Sequence, residues 1–125
     1  MPEVRLGPFC VRTERTKIDT YRSAIGARGQ GVPTAFPICW LGQSDVRAAV
    51  KDACGDRLPL HEGQTFEYTR PLEVEAEYRL SLILSEETTP PRLTLKGECR
   101  TAAGELCLRI ETLLRLVPPA LELSA

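Results

Sequence analysis

Residues 60–72 read LHEGQTFEYTRPL, and the chain divides around them into a mixed front half and a sheet-like back half. Phe66 and Tyr68 lie two apart, which puts both on one face of a strand. Arg70-Pro71 ends that strand, because proline has no N–H to give to a ladder. The stretch also holds the one histidine of the chain, His61, and so is the first place to look for acid–base chemistry. Just upstream, residues 44–54 have the spacing of a short helix. Ser44 or Asp45 can cap it, Val46, Ala49, Val50 and Ala53 share its apolar face, and Gly55 ends it. A face built from alanine and valine lets another element approach closely, as when a sheet wraps the helix.

Beyond Leu72 the pattern has a period of two. Over residues 75–86, Ala76, Tyr78, Leu80, Leu82 and Leu84 alternate with Glu75, Glu77, Arg79, Ser81 and Ser85. Pro90-Pro91 breaks the run. Over residues 92–100, Leu93, Leu95, Gly97 and Cys99 face one way, against Arg92, Thr94, Lys96, Glu98 and Arg100. A turn through Ala102, Ala103 and Gly104 leads to the last strand. There Leu106, Leu108, Ile110, Leu114 and Leu116 alternate with Glu105, Cys107, Arg109, Glu111 and Arg115. Such alternation predicts an antiparallel sheet with one buried face. Gly97 marks either a bulge or a close backbone contact.

In the front half, residues 8–12 suit a first short strand. Thr13 sits where an N-cap belongs, and Ile18, Tyr21 and Ile25 form one stripe of a helix over residues 14–25, closed by Gly26. The run ARGQGVPTAFP, residues 27–37, is loop by its glycines and prolines. Residues 38–41, with Trp40, fit a helical turn or a short extended piece. The order predicts an α+β fold in which one curved antiparallel sheet of about five strands wraps a central helix. This is the hot-dog arrangement, as a single domain over residues 1–125.

A chain of 125 residues buries enough surface to fold without staples. Its net charge of −1 and pI near 5.9 argue against a nucleic-acid or anionic-membrane partner. No apolar run approaches the ~20 residues that cross a bilayer. MPEVRLGPF has no signal-peptide core, so a cytoplasmic location is expected. The five cysteines, Cys10, Cys39, Cys54, Cys99 and Cys107, show no CxxC spacing. With a single histidine they predict reduced packing thiols and no metal site.

VPTAFPICW, the short helix and LPLHEGQTFEYTRPL together resemble the N-terminal, MaoC-like hot-dog half of (R)-specific dehydratases and hydratases. The likeness runs over residues 13–117. It is carried best by Pro33-Thr34, Phe36-Pro37, Leu60-His61, Gln64, Phe66, Tyr68 and Arg70-Pro71-Leu72. It implies action on 3-hydroxyacyl or 2-enoyl thioesters of coenzyme A or acyl carrier protein, with no other cofactor. In that family a Gly-Asp pair after the first helix is followed five residues later by histidine. The aspartate and histidine grip one water and move the α-carbon proton, while a backbone N–H near the central helix polarises the thioester carbonyl. Here Gly26 is present, but Ala27 stands at the aspartate position and Val32 at the histidine position. Neither side chain can hold a proton. The resemblance therefore implies a non-catalytic, substrate-binding half, paired with a catalytic hot-dog subunit or with a second copy of itself.

The remaining candidates each have a functional and a plain reading. His61 is a relocated general base or a structural imidazole, with Glu62 expected on the opposite strand face. Asp45 and Glu62 resemble the carboxylate that some hot-dog thioesterases use, yet a carboxylate in a first helical turn is usually a dipole partner. Arg28, Arg12 and Arg70 can meet the phosphates of a pantetheine arm, and Arg28 is the best placed by its loop. Phe36 and Trp40 line an acyl tunnel or belong to the core. The alternatives to a silent half are a stand-alone thioesterase, a hydratase with relocated groups, or a homodimeric ligand-binding module. An open sheet edge predicts a dimer in each case.

Overall fold

The computed structural model describes residues 3–119. Met1 and Pro2 of the N-terminal stretch, and residues 120–125 of the expected domain, lie outside them. The elements are β1 (Glu3–Arg12), α1 (Arg15–Ile25), a 3-10 helix (Phe36–Gly42), α2 (Ser44–Cys54), β2 (Leu58–Tyr68), β3 (Glu77–Thr88), β4 (Pro91–Thr101) and β5 (Leu106–Val117). The strands form one antiparallel sheet in the order β1-β3-β4-β5-β2. The second strand in sequence thus lies at the far edge, beside the last, and β1 and β2 are the two open edges.

The period-two alternation places the core. Leu80, Leu82 and Leu84 of β3, Leu93, Leu95 and Cys99 of β4, and Leu108, Ile110 and Leu116 of β5 are buried. Val46 and Cys54 of α2 and Ile18 of α1 join them in one cluster. Ala49, Val50 and Ala53 pack against that cluster but are only partly covered. Gly97 is a close contact and not a bulge. Its register with Leu82 and Ile110 is unbroken, and a Cβ there would lie 2.7 Å from Leu82 Cδ2.

Several local expectations need correction. The first strand begins at Glu3, and the register break between Leu6 and Phe9 interrupts it without ending it. Thr13 is not the cap of α1. It is fully buried, its hydroxyl donates to Glu73 O at 2.6 Å, and it accepts from the Ala76 N–H at 2.9 Å. The first-turn N–H of Arg15 instead donates to the carboxylate of Glu75 at 2.6 Å, a cap supplied from 60 residues away. Ser44 and Asp45 lie inside α2, whose N-cap is Gln43, with no side-chain cap hydrogen bond. Ile25 is 53% exposed and leaves the stripe of α1. Cys107, expected on the outer face, is fully buried. Cys99 pairs with Leu108 and Arg100 with Leu106, so Cys107 is an extra residue that breaks the alternation. Residues 38–41 belong to the 3-10 helix, which resolves the choice left open for them.

Candidate functional site

A large apolar depression lies between α2 and the β2 edge. It is a groove of about 770 Å³ with Val46, Val50 and Cys54 on one wall, Leu58 and His61 on the other, and Leu95, Thr112 and Leu114 at its base. Ligand pockets of small molecules span roughly 300–1,000 Å³, so its size suits an acyl chain. The groove exists because α2 presents a partly covered Ala/Val face beside an unpaired strand.

His61 reaches the groove through a local irregularity. The register of β2 against β5 shifts between His61 and Gly63, leaving Glu62 as the extra residue. In a regular strand His61 and Gln64 would face opposite ways. With the extra residue they meet, His61 Nε2 lying 3.2 Å from Gln64 Oε1. That oxygen also accepts from the Thr112 hydroxyl at 2.7 Å, while Gln64 Nε2 is buried without a partner. The imidazole therefore has an amide as its neighbour, and among the described residues no carboxylate lines the groove beside it.

Glu62 turns to two arginines. Arg92 Nε and an Arg115 guanidinium nitrogen each lie 2.8 Å from its carboxylate. The hydrogen bond from Arg92 and the charge of Arg115 hold its carboxyl below the usual glutamate range. Such a clamped anion is a poor proton acceptor. Asp45 is exposed in the first turn of α2 and lines no part of the groove.

The loop after α1 forms a separate, smaller cleft whose walls include Ala27, Arg28, Val32 and Thr34. Gly26, in the left-handed conformation at φ 71°, turns the chain out of the helix. Arg22 then donates to the Gly31 carbonyl, and the Tyr68 hydroxyl donates to the Thr34 carbonyl at 2.6 Å. Burial pushes the Tyr68 hydroxyl up to about 12. The loop is thus fixed from α1 and from β2. Ala27 and Val32 offer no titratable group there, and no residue lines both this cleft and the α2 groove.

The remaining predicted residues are dispersed. Phe36 and Trp40 are buried and stack edge-on, with centroids 6.2 Å apart, in a series with Tyr21 and Tyr78. They border the surface between β1 and α1, not the α2 groove. Arg12 pairs with Glu75 and Glu77, and Arg70 pairs with Glu105 at 3.2 Å. Arg28 is exposed and makes no ion pair among the described residues. Sequence reasoning missed Arg22 as the anchor of the loop, and it missed the irregularity at Glu62. Gly63 inside a strand pattern was the available signal for the second. Among the described residues, no three His, Cys, Asp or Glu side chains group as metal ligands, and no helix is long and apolar enough to cross a membrane.

The architecture is the hot-dog fold of MaoC-like (R)-hydratases and dehydratases. No family model matches the sequence, and no curated protein matches it. Among solved structures, a chain of the C-terminally truncated HadBC (3R)-hydroxyacyl-ACP dehydratase complex of Mycobacterium tuberculosis superposes with a TM-score of 0.71 at 13% identity, covering 90% of this chain and 93% of that one. The (R)-hydratase of A. caviae involved in PHA biosynthesis gives 0.57 at 15% identity, over 94% and 95% of the two chains. A putative thioesterase from Lactococcus lactis gives 0.58 at 13% identity, over 77% and 76%. These identities establish the fold and leave the chemistry to the residues.

Proposed function

We propose that this chain is a non-catalytic, acyl-thioester-binding hot-dog subunit of a MaoC-like dehydratase or hydratase, working on 3-hydroxyacyl or 2-enoyl thioesters of coenzyme A or acyl carrier protein. The observation that carries this reading is the absence of a proton couple at either place where one would serve. The loop at Ala27 and Val32 is held by Arg22 and Tyr68 and carries no carboxylate or imidazole, its one charged side chain being Arg28. His61 has Gln64 beside it and, among the described residues, no acid. A water held there would meet one titratable group, whereas hydration needs a base and an acid in sequence.

What this chain supplies is a surface. The acyl chain lies along α2 against Val46, Val50 and Leu114, and Thr112, hydrogen-bonded to Gln64, forms part of the floor. The proton chemistry comes from a partner hot-dog chain that carries the Gly-Asp and histidine signature. Five free cysteines suit a reducing cytoplasm. The test mixes the purified chain with such a partner and follows hydration of enoyl-CoA substrates of increasing length. The expected result is a lower KM for the longer substrates in the mixture than for the partner alone. A partner whose KM and kcat ignore the added chain at every length contradicts the reading.

A further inference from the structure

The floor of the α2 groove is not apolar throughout. Leu84, Leu95, Thr112 and Gln64 stand opposite one another across β3, β4, β5 and β2, so all four belong to the inner face of the sheet. The row begins as leucine and ends as hydroxyl and amide. In the next row His61 stands opposite Leu114. Thr112 and His61 both line the groove, and both meet Gln64 Oε1, at 2.7 and 3.2 Å. The polar side chains that α2 adds to the lining, Ser44, Arg47 and Lys51, are exposed, whereas Thr112 is buried beneath them. Among the described residues Gln64 Nε2 is buried without a partner, which costs stability. A floor selected for stability alone would continue in leucine, as it does in β3 and β4.

Counting hydrogens shows what this cluster has left to offer. An amide oxygen only accepts, so both of its neighbours must donate to it. Thr112 has one hydroxyl hydrogen, and Gln64 uses it, which leaves the Oγ1 lone pairs. A neutral imidazole that donates from Nε2 keeps Nδ1 as an acceptor. The groove residues of the cluster therefore have acceptors free and no donor. A plain alkyl chain laid over them displaces their water and returns nothing. A hydroxyl on that chain returns a hydrogen bond, and a ketone, which only accepts, does not. In the proposed function the proton chemistry comes from a partner chain. The reacting carbons then lie with that partner, and this groove receives the chain beyond them. We infer that Thr112, His61 and Gln64 form a hydroxyl-recognition notch, which selects acyl thioesters whose chain carries a hydroxyl group beyond the reacting carbons. Thr112 and His61 touch the ligand, and Gln64 is the positioning residue that fixes which hydrogens they have left. The inference rests on the acyl-binding reading and adds to it which chains are preferred.

Isothermal titration calorimetry of the purified chain tests this, in buffer near pH 8, where free imidazole is uncharged. The ligands are dodecanoyl-CoA, isomers of it that carry one hydroxyl further along the chain, and the matching ketones. At least one hydroxyl isomer is expected to bind about tenfold more tightly than the plain chain, and its ketone no more tightly than the plain chain. Thr112→Val removes the hydroxyl from the floor, and should tighten the plain chain while abolishing the preference. His61→Leu, at an exposed position, is expected to shift the balance the same way and serves if Thr112→Val fails to fold. A merely structural role for the cluster would not move the ratio of the two affinities. Hydroxyl isomers that bind no tighter than the plain chain overturn the inference. So does a ketone that binds as well as its alcohol, or a preference that both variants keep. In each of those cases the plain chain is still bound and the acyl-binding reading stands. A protein that binds none of the chains overturns that reading, and the inference with it.

Discussion

Thr13 holds together two parts of the chain that are far apart in sequence. Its hydroxyl serves both Glu73 O and the Ala76 N–H, and the neighbouring Glu73 N–H donates to the Tyr78 hydroxyl at 2.8 Å. Thr13→Val keeps the shape but strands those two backbone groups, and is expected to cost roughly 2–4 kcal/mol in denaturant unfolding. His61→Ala, at an exposed site, should change stability by less than about 0.5 kcal/mol. Equal losses would mean that the histidine is structural to the same degree. Glycines separate in the same way. At Gly7, φ is +92° and a Cβ would lie 2.7 Å from the Leu80 carbonyl oxygen, whereas at Gly97 the near atom is a leucine methyl. Gly7→Ala should therefore lower Tm more than Gly97→Ala, where Leu82 can shift at a cost of about 1 kcal/mol.

At the scale of elements, β2 joins the sheet to the loop and to the groove. Tyr68 fastens the loop at Thr34, so Tyr68→Phe should speed amide hydrogen exchange across residues 31–36 while leaving β3 and β4 protected. Its raised folded pKa of about 12 means that native stability is full below the ordinary tyrosine value of about 10 and falls as pH rises towards the folded one. In Tyr68→Phe that contribution is removed from the alkaline limb of the Tm profile. Glu62 acts at the other end of the scale. Its lowered pKa, caused first by Arg92, gives stability that is present above the usual glutamate value and lost as pH falls through the folded one. Glu62→Gln should melt slightly below wild type at neutral pH, with the gap closing as pH falls below the usual glutamate range. A gap that stays constant with pH would rule out the arginine clamp as its source. These roles show what was legible in advance. Strands β3, β4 and most of β5 followed from alternation, and α2 from its apolar face and Gly55. The capping glutamate, the Thr13 staple and the extra residue at Cys107 did not, because each depends on how the chain meets another segment, while at Glu62 the one local signal was Gly63.

For the whole molecule, a curved sheet around one helix leaves an apolar groove beside an open edge and a loop at Ala27 and Val32 that carries no carboxylate or imidazole. The fold was readable from periodicity, and the residue types alone say that neither Ala27 nor Val32 can hold a proton. Of the groove only His61 was singled out in advance: Phe36 and Trp40 went to the aromatic core, and the other lining residues of α2, β2, β4 and β5 are ones the sequence marks only as buried or exposed. Stability rests on the sheet's inner face, so Leu82→Ala should cost about 2–5 kcal/mol without altering which surfaces are free. The proposed function rests on His61 having an amide, Gln64, as its neighbour. The most direct measurement is hydration of crotonyl-CoA by the purified chain alone, for wild type and His61→Ala. The account predicts no rate above buffer for either protein. A wild-type rate that disappears in His61→Ala would contradict it.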